Sequence, residues 1–202
     1  MTKIKFCGIT RLEDVEAVNV LRPDYIGFVF AKESKRYISS KEAEILKRVL
    51  APGIQAVGVF VNEAVEAVAD LLEHGIIDVA QLHGDEDETY INALRRRSKA
   101  PIIQAFRIHS EEDVKRAVLS SADDILLDAG AGAGEVFDWT LLKNMERPYF
   151  LAVGLSLENI ELAIKILHPY ALDVSSGIET NGKKDADKMA AFTAKVRKVG
   201  TQ

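Results

Sequence analysis

The 202-residue chain has a single cysteine, so no intrachain disulfide can form, and a reducing compartment is the natural expectation. No apolar run approaches the roughly 20 residues needed to span a bilayer. The opening MTKIKFCGIT lacks the apolar stretch of a signal peptide. The chain also lacks a surplus of positive charge: 31 acidic residues against 26 basic ones give a formal net charge of −5, which argues against broad binding of nucleic acid or anionic membranes. We therefore expect a soluble cytoplasmic protein that acts on a small molecule.

The sequence also lacks the short motifs of several common enzyme classes. No GxGxxG follows the first apolar segment, no Walker pattern occurs, and GxSxG is absent, so no nucleophile elbow is expected. The histidines are scattered without HxxH or HExxH spacing, at His74, His83, His109 and His168. With one cysteine and dispersed histidines, we predict no metal site.

Two kinds of segment alternate along the whole chain. One kind is short, apolar and rich in β-branched or aromatic residues, which is typical of parallel strands buried on both faces. These predicted strands cover 4–9, 25–30, 55–61, 79–83, 101–106, 124–128, 149–154 and 171–176. No linker or low-complexity segment interrupts them, so residues 1–202 are predicted to form one domain.

The segments between the predicted strands have helical spacing of apolar residues and charged faces. They include 12–21, 63–74, 112–119, 157–167 and 185–198, and a helix over KEAEILKRVL follows Ser39 and Ser40. These serines, and Ser156 before the 157–167 segment, are predicted to begin their helices as N-caps. The sixth helical segment is limited to roughly DWTLLKNM.

Eight strand–helix units in this length give about 25 residues for each unit, close to the minimum for a (β/α)8 barrel. A doubly wound open sheet is the alternative, because alternation of strands and helices alone also suggests it. The count of eight, the missing GxGxxG and the polar residues at many strand ends favour the barrel. We predict a single (β/α)8 TIM barrel.

In such barrels the active site lies at the C-terminal ends of the strands. Cys7 ends the first strand and could act as a base if a neighbour stabilised its thiolate, although a lone cysteine is often only a small buried hydrophobe. Asp128 ends the sixth strand, where a carboxyl group kept protonated at an apolar rim could donate a proton, or could merely cap a helix. These two residues are the candidates for acid–base chemistry.

A phosphate site is predicted in the loops after strands 7 and 8, where phosphate-binding barrels commonly place it. Small residues in VGLSLEN and SSGIE can present backbone N–H groups and hydroxyls to an anion. The candidates are Gly154, Ser156, Ser175, Ser176 and Gly177. Either loop alone could be an ordinary tight turn, but both at consecutive strand ends favour phosphate binding.

Four other features lie at the predicted mouth of the barrel. Arg36, in SKRY, could bind a carboxylate with both arms of its guanidinium, although short basic clusters are usually only solvated surface. Asp173 could orient the last loop or bind a substrate hydroxyl. His83, in QLHG, is ambiguous from the sequence but is included with Arg36 and Asp173 as a candidate substrate-binding residue, and GAGAGE (130–135) is a glycine-rich segment that could form a mobile loop.

The chain resembles the phosphoribosylanthranilate isomerase family over nearly its whole length. The resemblance is carried by KFCGIT, DYIGFVF, SKRYIS, VGVFVN, QLHGDE, LLD, GEVFDW, VGLSLENI and DVSSGIETNGKKD, which occur in the family's order. It implies a rearrangement of N-(5-phosphoribosyl)anthranilate in tryptophan biosynthesis without a cofactor. Monomers and dimers are both expected.

The resemblance also implies roles for particular positions. Cys7 takes the place of the general base that removes the C2 proton of the sugar, and Asp128 takes the place of the general acid that protonates the furanose oxygen. Arg36 would hold the anthranilate carboxylate. Gly154, Ser175 and Ser176 would lie in the loops that bind the phosphate, and Asp173 precedes them.

Two departures from the family pattern affect the loops rather than the candidate acid and base. Only AGAGAGE follows Asp128 where relatives have a longer insertion, with Ala131 where glycine is common, and Val153 replaces a glycine in LAVGL.

Rival functions fit the sequence less well. Indole-glycerol-phosphate synthase would need a lysine at a strand end, and the histidine-pathway isomerase has aspartate where this chain has Cys7. A non-catalytic phosphometabolite binder would need neither Cys7 nor Asp128.

Overall fold

The computed structural model describes residues 1–128, 139–142, 145–152 and 154–199. The GAGAGE segment (130–135), with Ala131, and the unusual Val153 lie outside the described residues. Predictions about these two departures therefore stay predictions.

Eight parallel strands form a closed barrel, which confirms the predicted fold class. Their bounds are β1 Lys3–Cys7, β2 Tyr25–Val29, β3 Gln55–Phe60, β4 Val79–Leu82, β5 Ile102–Arg107, β6 Asp124–Asp128, β7 Tyr149–Ala152 and β8 Ala171–Val174. Each strand pairs with the next in the chain, and β8 pairs with β1 to close the cylinder, with Lys5 beside Asp173 and Phe6 beside Val174. An open, doubly wound sheet is thereby excluded.

Helices cover the outside of the barrel. Their bounds are α1 Leu12–Leu21, α2 Ser40–Arg48, α3 Val65–Glu73, α4 Glu88–Arg97, α5 Glu111–Leu119, α6 Ile160–Leu167 and α7 Ala186–Val199. Between β6 and β7 the described residues contain a single 3-10 turn, Trp139–Leu142, and a short antiparallel pair, β9 Glu179–Thr180 and β10 Lys183–Lys184, precedes α7. Within the described ranges, none of these helices has the length and apolarity to cross a membrane.

The barrel strands are apolar because both of their faces are buried. One cluster fills the interior near the N-terminal ends, and its fully or nearly fully buried members are Tyr25, Val57, Val79, Ile103, Leu126, Phe150 and Ala171. The alternate residues pack outward against the helices, as Phe6 does against Phe192 of α7, with ring centroids 6.1 Å apart. Towards the C-terminal ends the interior side chains become polar.

Three helix starts test the predictions from sequence. Ser39 is the N-cap of α2, as predicted, because its side chain accepts a bond from the backbone N–H of Glu42. The prediction for Ser156 was wrong, since α6 begins at Ile160 and Asn159 occupies the N-cap position. The backbone N–H of Ser156 instead donates to Asn159 Oδ1 at 2.9 Å, which folds residues 157–159 into a turn before the helix. The periodicity did not identify α4, although Asp87 caps it.

We predict that Phe150→Ala lowers the free energy of unfolding by about 3–5 kcal/mol, as large-to-small changes in well-packed cores do. Phe150 is fully buried and meets the rings of Tyr25 and Tyr170 edge-on, with centroids 5.3 and 5.6 Å away. Leu119→Ala is the control, because Leu119 is 83% exposed and its loss should cost less than about 0.5 kcal/mol. Urea denaturation measures both changes. Equal losses in the two variants would contradict the packing assigned to the barrel interior.

Candidate active site

A cavity of about 350 Å³ opens at the C-terminal ends of the barrel strands. It brings together most of the residues singled out from the sequence: Cys7, Arg36, His83, Asp128, Gly154, Asp173, Ser175, Ser176 and Gly177. Val29, Ser34, Val59, Gln81, Ala152, Leu155 and Val174 complete the described lining. We call this space the mouth cavity.

Some strand-end residues lie elsewhere. Ser156 is not part of the described lining of the mouth cavity, and its hydroxyl contacts the carboxylate of Glu158. Phe30 is buried and stacks on Phe60, with ring centroids 5.2 Å apart. A second cavity, at the ends of β3 to β5, adjoins the mouth cavity at His83.

Cys7 lies half-buried at the end of β1, on the strand face opposite Phe6, and therefore points into the barrel. Its neighbour on β2 is Gly27, where a β-carbon would lie only 2.8 Å from the sulfur. The glycine thus leaves room for the thiol. Burial raises the pKa of Cys7, while the positive charge of Lys5 opposes that rise.

A buried ion pair lies beneath Cys7 and was not identified from the sequence. Lys5 is two residues before Cys7 on the same strand, is fully buried, and donates to Asp173 Oδ2 at 2.7 Å across the β1–β8 seam. Burial disfavours the charge of Lys5, but Asp173 and then Cys7 outweigh that effect and raise its pKa. The sequence signal was a lysine at an interior position of an apolar strand, and its partner lies 168 residues away.

Asp128 lies across the mouth on β6 and is connected to two side chains of the β4 end. His83 Nε2 is 3.2 Å from Asp128 Oδ2, and Gln81 Nε2 is 2.9 Å from His83 Nδ1. Because an amide N–H can only donate, Nδ1 is the acceptor and the neutral ring carries its proton on Nε2. The imidazole N–H therefore points at the carboxylate and fixes its orientation.

Arg36 is held by a carboxylate from the last loop of the chain. Its Nε and Nη2 donate to the two oxygens of Glu179 at 2.7 and 2.8 Å, in the two-pronged geometry expected for arginine. Lys184 donates to the same carboxylate at 2.6 Å. Gly8 has φ +81°, and a β-carbon there would lie 2.4 Å from the Arg36 side chain, so only glycine lets Arg36 lie over the end of β1.

The loops after β7 and β8 touch each other at the edge of the mouth cavity. A β-carbon at Gly177 would lie 2.0 Å from the carbonyl oxygen of Leu155, so the close approach of the two loops requires glycine. The Ser175 hydroxyl donates to the carbonyl of Cys7 at 3.1 Å, and Lys184 donates to the Ser175 carbonyl at 3.0 Å. The predicted anion-binding loops are therefore joined to the end of β1.

No group of three or more histidine, cysteine, aspartate or glutamate side chains could hold a metal ion within the parts of the chain that the structure describes. What the mouth offers instead is a thiol facing a carboxyl group, with cations and two small-residue loops beside them. A closed barrel with this set at its C-terminal mouth defines the class of (β/α)8-barrel enzymes.

Comparison with known proteins identifies the family within this class. The family model for N-(5'-phosphoribosyl)anthranilate (PRA) isomerase matches residues 4–195. N-(5'-phosphoribosyl)anthranilate isomerase of Caldanaerobacter subterraneus subsp. tengcongensis is 47% identical over 207 residues, covering 98% of this chain and 100% of that protein. The chain therefore belongs to the phosphoribosylanthranilate isomerase family.

Solved structures support the same family assignment. The phosphoribosyl anthranilate isomerase of Thermotoga maritima is 36% identical, with a TM-score of 0.89 over 98% of this chain and 100% of that one. A phosphoribosyl anthranilate isomerase in complex with reduced 1-(o-carboxyphenylamino)-1-deoxyribulose 5-phosphate is 37% identical, with a TM-score of 0.87 over 98% of this chain and 100% of that one.

We predict that the protein becomes less stable below about pH 4.5, because protonation of Glu179 then removes a stabilising charge. Burial disfavours its charge, but the bonds from Arg36 and Lys184 lower the pKa of Glu179 from 4.5 to about 2. A carboxyl whose pKa is lower in the folded state contributes stability above its unfolded pKa and loses it as pH falls towards the folded value. The free energy of unfolding should therefore fall between pH 4.5 and 2, with Glu179 accounting for up to about 3 kcal/mol.

Urea denaturation of wild type and Glu179→Gln across this pH range isolates the contribution of Glu179. The stability difference between the two proteins should shrink as pH falls. Glu44→Gln is the control, since Glu44 forms an exposed pair with Arg48 and its difference from wild type should stay small. A constant gap between wild type and Glu179→Gln would refute the prediction.

Proposed function

We propose that the chain catalyses the rearrangement of N-(5-phosphoribosyl)anthranilate to 1-(2-carboxyphenylamino)-1-deoxyribulose 5-phosphate in tryptophan biosynthesis. One observation carries the proposal: Cys7 and Asp128, from opposite sides of the barrel, line one cavity together with two loops suited to an anion. A barrel that only bound a phosphometabolite would need the loops but not the facing thiol and carboxyl group.

Asp128 is the general acid in this proposal. Its protonated carboxyl group donates to the furanose ring oxygen, the bond from that oxygen to C1 breaks, and the lone pair of the anthranilate nitrogen forms an iminium ion. His83 Nε2–H, 3.2 Å from Oδ2, orients the carboxyl group at the mouth. The contacts of His83 with Gln81 and Asp128 thus favour a positioning role over direct substrate binding.

Cys7 is the general base. The iminium charge acidifies the proton on C2, and the thiolate removes that proton while the C2–H electron pair forms the C1–C2 double bond. The iminium π electrons return to nitrogen, and the resulting enolamine tautomerises to the ketone. Each positioned proton transfer typically contributes about 10²–10⁴-fold to the rate.

Binding groups at a distance from the reacting carbons would hold the sugar between acid and base. Gly154, Ser175, Ser176 and Gly177 line one side of the mouth cavity, where small residues let a phosphate approach the backbone amides. Arg36 also lines the cavity, and a guanidinium has more N–H donors than its two bonds to Glu179 use. It is therefore suited to bind the anthranilate carboxylate while Glu179 holds it in place.

The proposed route needs only side-chain proton transfers, so it includes neither a metal nor a cofactor. We propose that the enzyme works in the cytoplasm as a single (β/α)8 domain over residues 1–202. It would function as a monomer or a homodimer, without nucleic-acid or membrane partners. Ser156 stays a proposed member of the phosphate loop after β7, although its hydroxyl contacts Glu158 and its backbone N–H donates to Asn159 Oδ1.

We predict that Cys7→Ser and Asp128→Asn each lower kcat by about 10²–10⁴-fold, because each removes one proton transfer. Both variants should still bind a reduced product analogue, since the loops and Arg36 are unchanged. The disappearance of the fluorescence of the anthranilate adduct measures turnover.

Asp124→Asn is the matched control for Asp128→Asn. Asp124 begins the strand that Asp128 ends, so the same substitution is made at the opposite mouth of the barrel. The control should keep turnover near the wild-type level. Normal turnover by both site variants would show that the acid–base assignment is wrong, and wild-type binding without turnover would favour the non-catalytic binder.

His83→Asn separates two roles for this side chain. If His83 positions Asp128, the loss of its hydrogen bond should lower kcat by about 10–100-fold and leave KM nearly unchanged. Gln81→Met should lower kcat in the same way, because it removes the donor that fixes the His83 tautomer. A rise in KM with unchanged kcat would instead indicate that His83 binds substrate directly.

A further inference from the structure

We propose that Lys5 is a positioning residue for the reaction: its buried ammonium group, held by Asp173, supports the thiolate form of Cys7 from inside the barrel. This inference rests on the proposed function, in which Cys7 is the base, and adds a residue that the family motif does not identify as functional.

The geometry of β1 brings the three groups together. Lys5 and Cys7 are two residues apart on one strand, so their side chains point to the same face, the barrel interior. The register of β1 against β8 places Asp173 directly beside Lys5. Lys5 donates to Asp173 at 2.7 Å, and the positive charge of its ammonium group also acts on the Cys7 sulfur.

The ammonium group cannot use water to satisfy its charge, because Lys5 is fully buried. Asp173 offers one oxygen to it, and the other, Oδ1, is buried without a hydrogen-bond partner among the described residues. An ammonium has three N–H donors. The donors that Asp173 does not take are therefore available on the strand face that Lys5 shares with Cys7, which lies two residues further towards the mouth.

The stability of the fold does not by itself explain the buried Lys5–Asp173 ion pair. A buried ion pair is often no more stabilising than well-packed apolar residues of the same volume, because both charges lose their hydration. The other interior position buried to this degree with a polar side chain, Gln81, carries an uncharged amide among the described residues named as lining the mouth cavity. Charged groups at a buried position directly below a candidate base indicate a contribution to the chemistry rather than to packing.

The electrostatic balance at the sulfur depends on groups from several elements. Burial raises the pKa of Cys7; Lys5 opposes this most strongly, Asp173 adds to the rise, and Lys184 opposes it. Arg36, from the loop after β2, also interacts with the sulfur. The other titratable groups that line the mouth cavity are His83 and Asp128, on the far side. Lys5 is thus the main group that counteracts the cost of burying a thiolate.

The charge on the Cys7 sulfur changes during the reaction. When the thiolate removes the C2 proton, an S–H bond forms, the C2–H bond breaks, and the sulfur becomes neutral. The ammonium then interacts with Asp173 alone, so no charge is left unpaired in the barrel. When the product's carbon takes up a proton from the thiol, the thiolate is restored with its ammonium partner in place.

The test measures the thiol itself. Cys7 is the one cysteine of the chain, so the rate of alkylation by iodoacetamide against pH reports its thiolate directly. The informative variant is Lys5→Met with Asp173→Asn, because Lys5→Met alone would leave Asp173 as a buried, unpaired carboxylate. We expect the midpoint of alkylation to rise by about one pH unit or more in the double variant. Near-UV circular dichroism verifies that it folds.

Lys3→Met is the matched control. Lys3 is two residues before Lys5 on the same strand, but its ammonium lies over the rings of Tyr25 and Tyr170 at the opposite mouth. This variant should leave the alkylation midpoint and the turnover unchanged. An unchanged midpoint in the folded double variant, or an equal shift in Lys3→Met, would overturn the inference.

The pH profile of kcat/KM then connects the thiol to turnover. Its acid limb should move upward with the alkylation midpoint in the double variant. If Cys7→Ser keeps normal turnover, the proposed base is wrong, yet the alkylation experiment still determines whether Lys5 controls the thiol. The two failures are therefore distinguishable.

Discussion

The pairing of the first strand with the last is the constraint on which the site depends. Closure of the barrel puts Lys5 beside Asp173 and brings Ser175 to the carbonyl of Cys7. An open sheet built from the same strands would leave β1 and β8 at distant edges, and would separate the thiol from its charged neighbours. The site is therefore a product of the closed topology and not of any one local motif.

Charge at the mouth is arranged in mutually compensated sets. Lys5 and Asp173 form one pair inside the barrel, while Arg36 and Lys184 share Glu179 at the rim. An overall negative chain thus gathers three cations around the mouth cavity, at the place where we propose that the phosphosugar binds. Because each cation already has a carboxylate partner, the cluster is in place before any ligand arrives, and little reorganisation is needed on binding.

The sequence predicted the parts of the molecule that depend on local patterns. Eight apolar segments gave the strands, since burial on both faces leaves a signal in every strand, and the strand ends gave Cys7 and Asp128. Pairings between distant positions were not predictable: no local pattern joins Lys5 to Asp173 or Arg36 to Glu179. The start of α6 was misplaced because Ser156 fits the composition of an N-cap, whereas Asn159, three residues later, fits it equally well and occupies that position.

The close fit of Gly8 against Arg36 divides the mouth into a fixed part and a variable part. Residue 8 directly follows β1, and a side chain there would need both a positive φ and the space that Arg36 occupies, so the position requires glycine. Residue 36 sits on a loop that can change without disturbing the cylinder. A change of side chain at residue 36 would therefore alter the charge on this side of the mouth, while the glycine beneath it, and with it the course of the backbone, would stay the same.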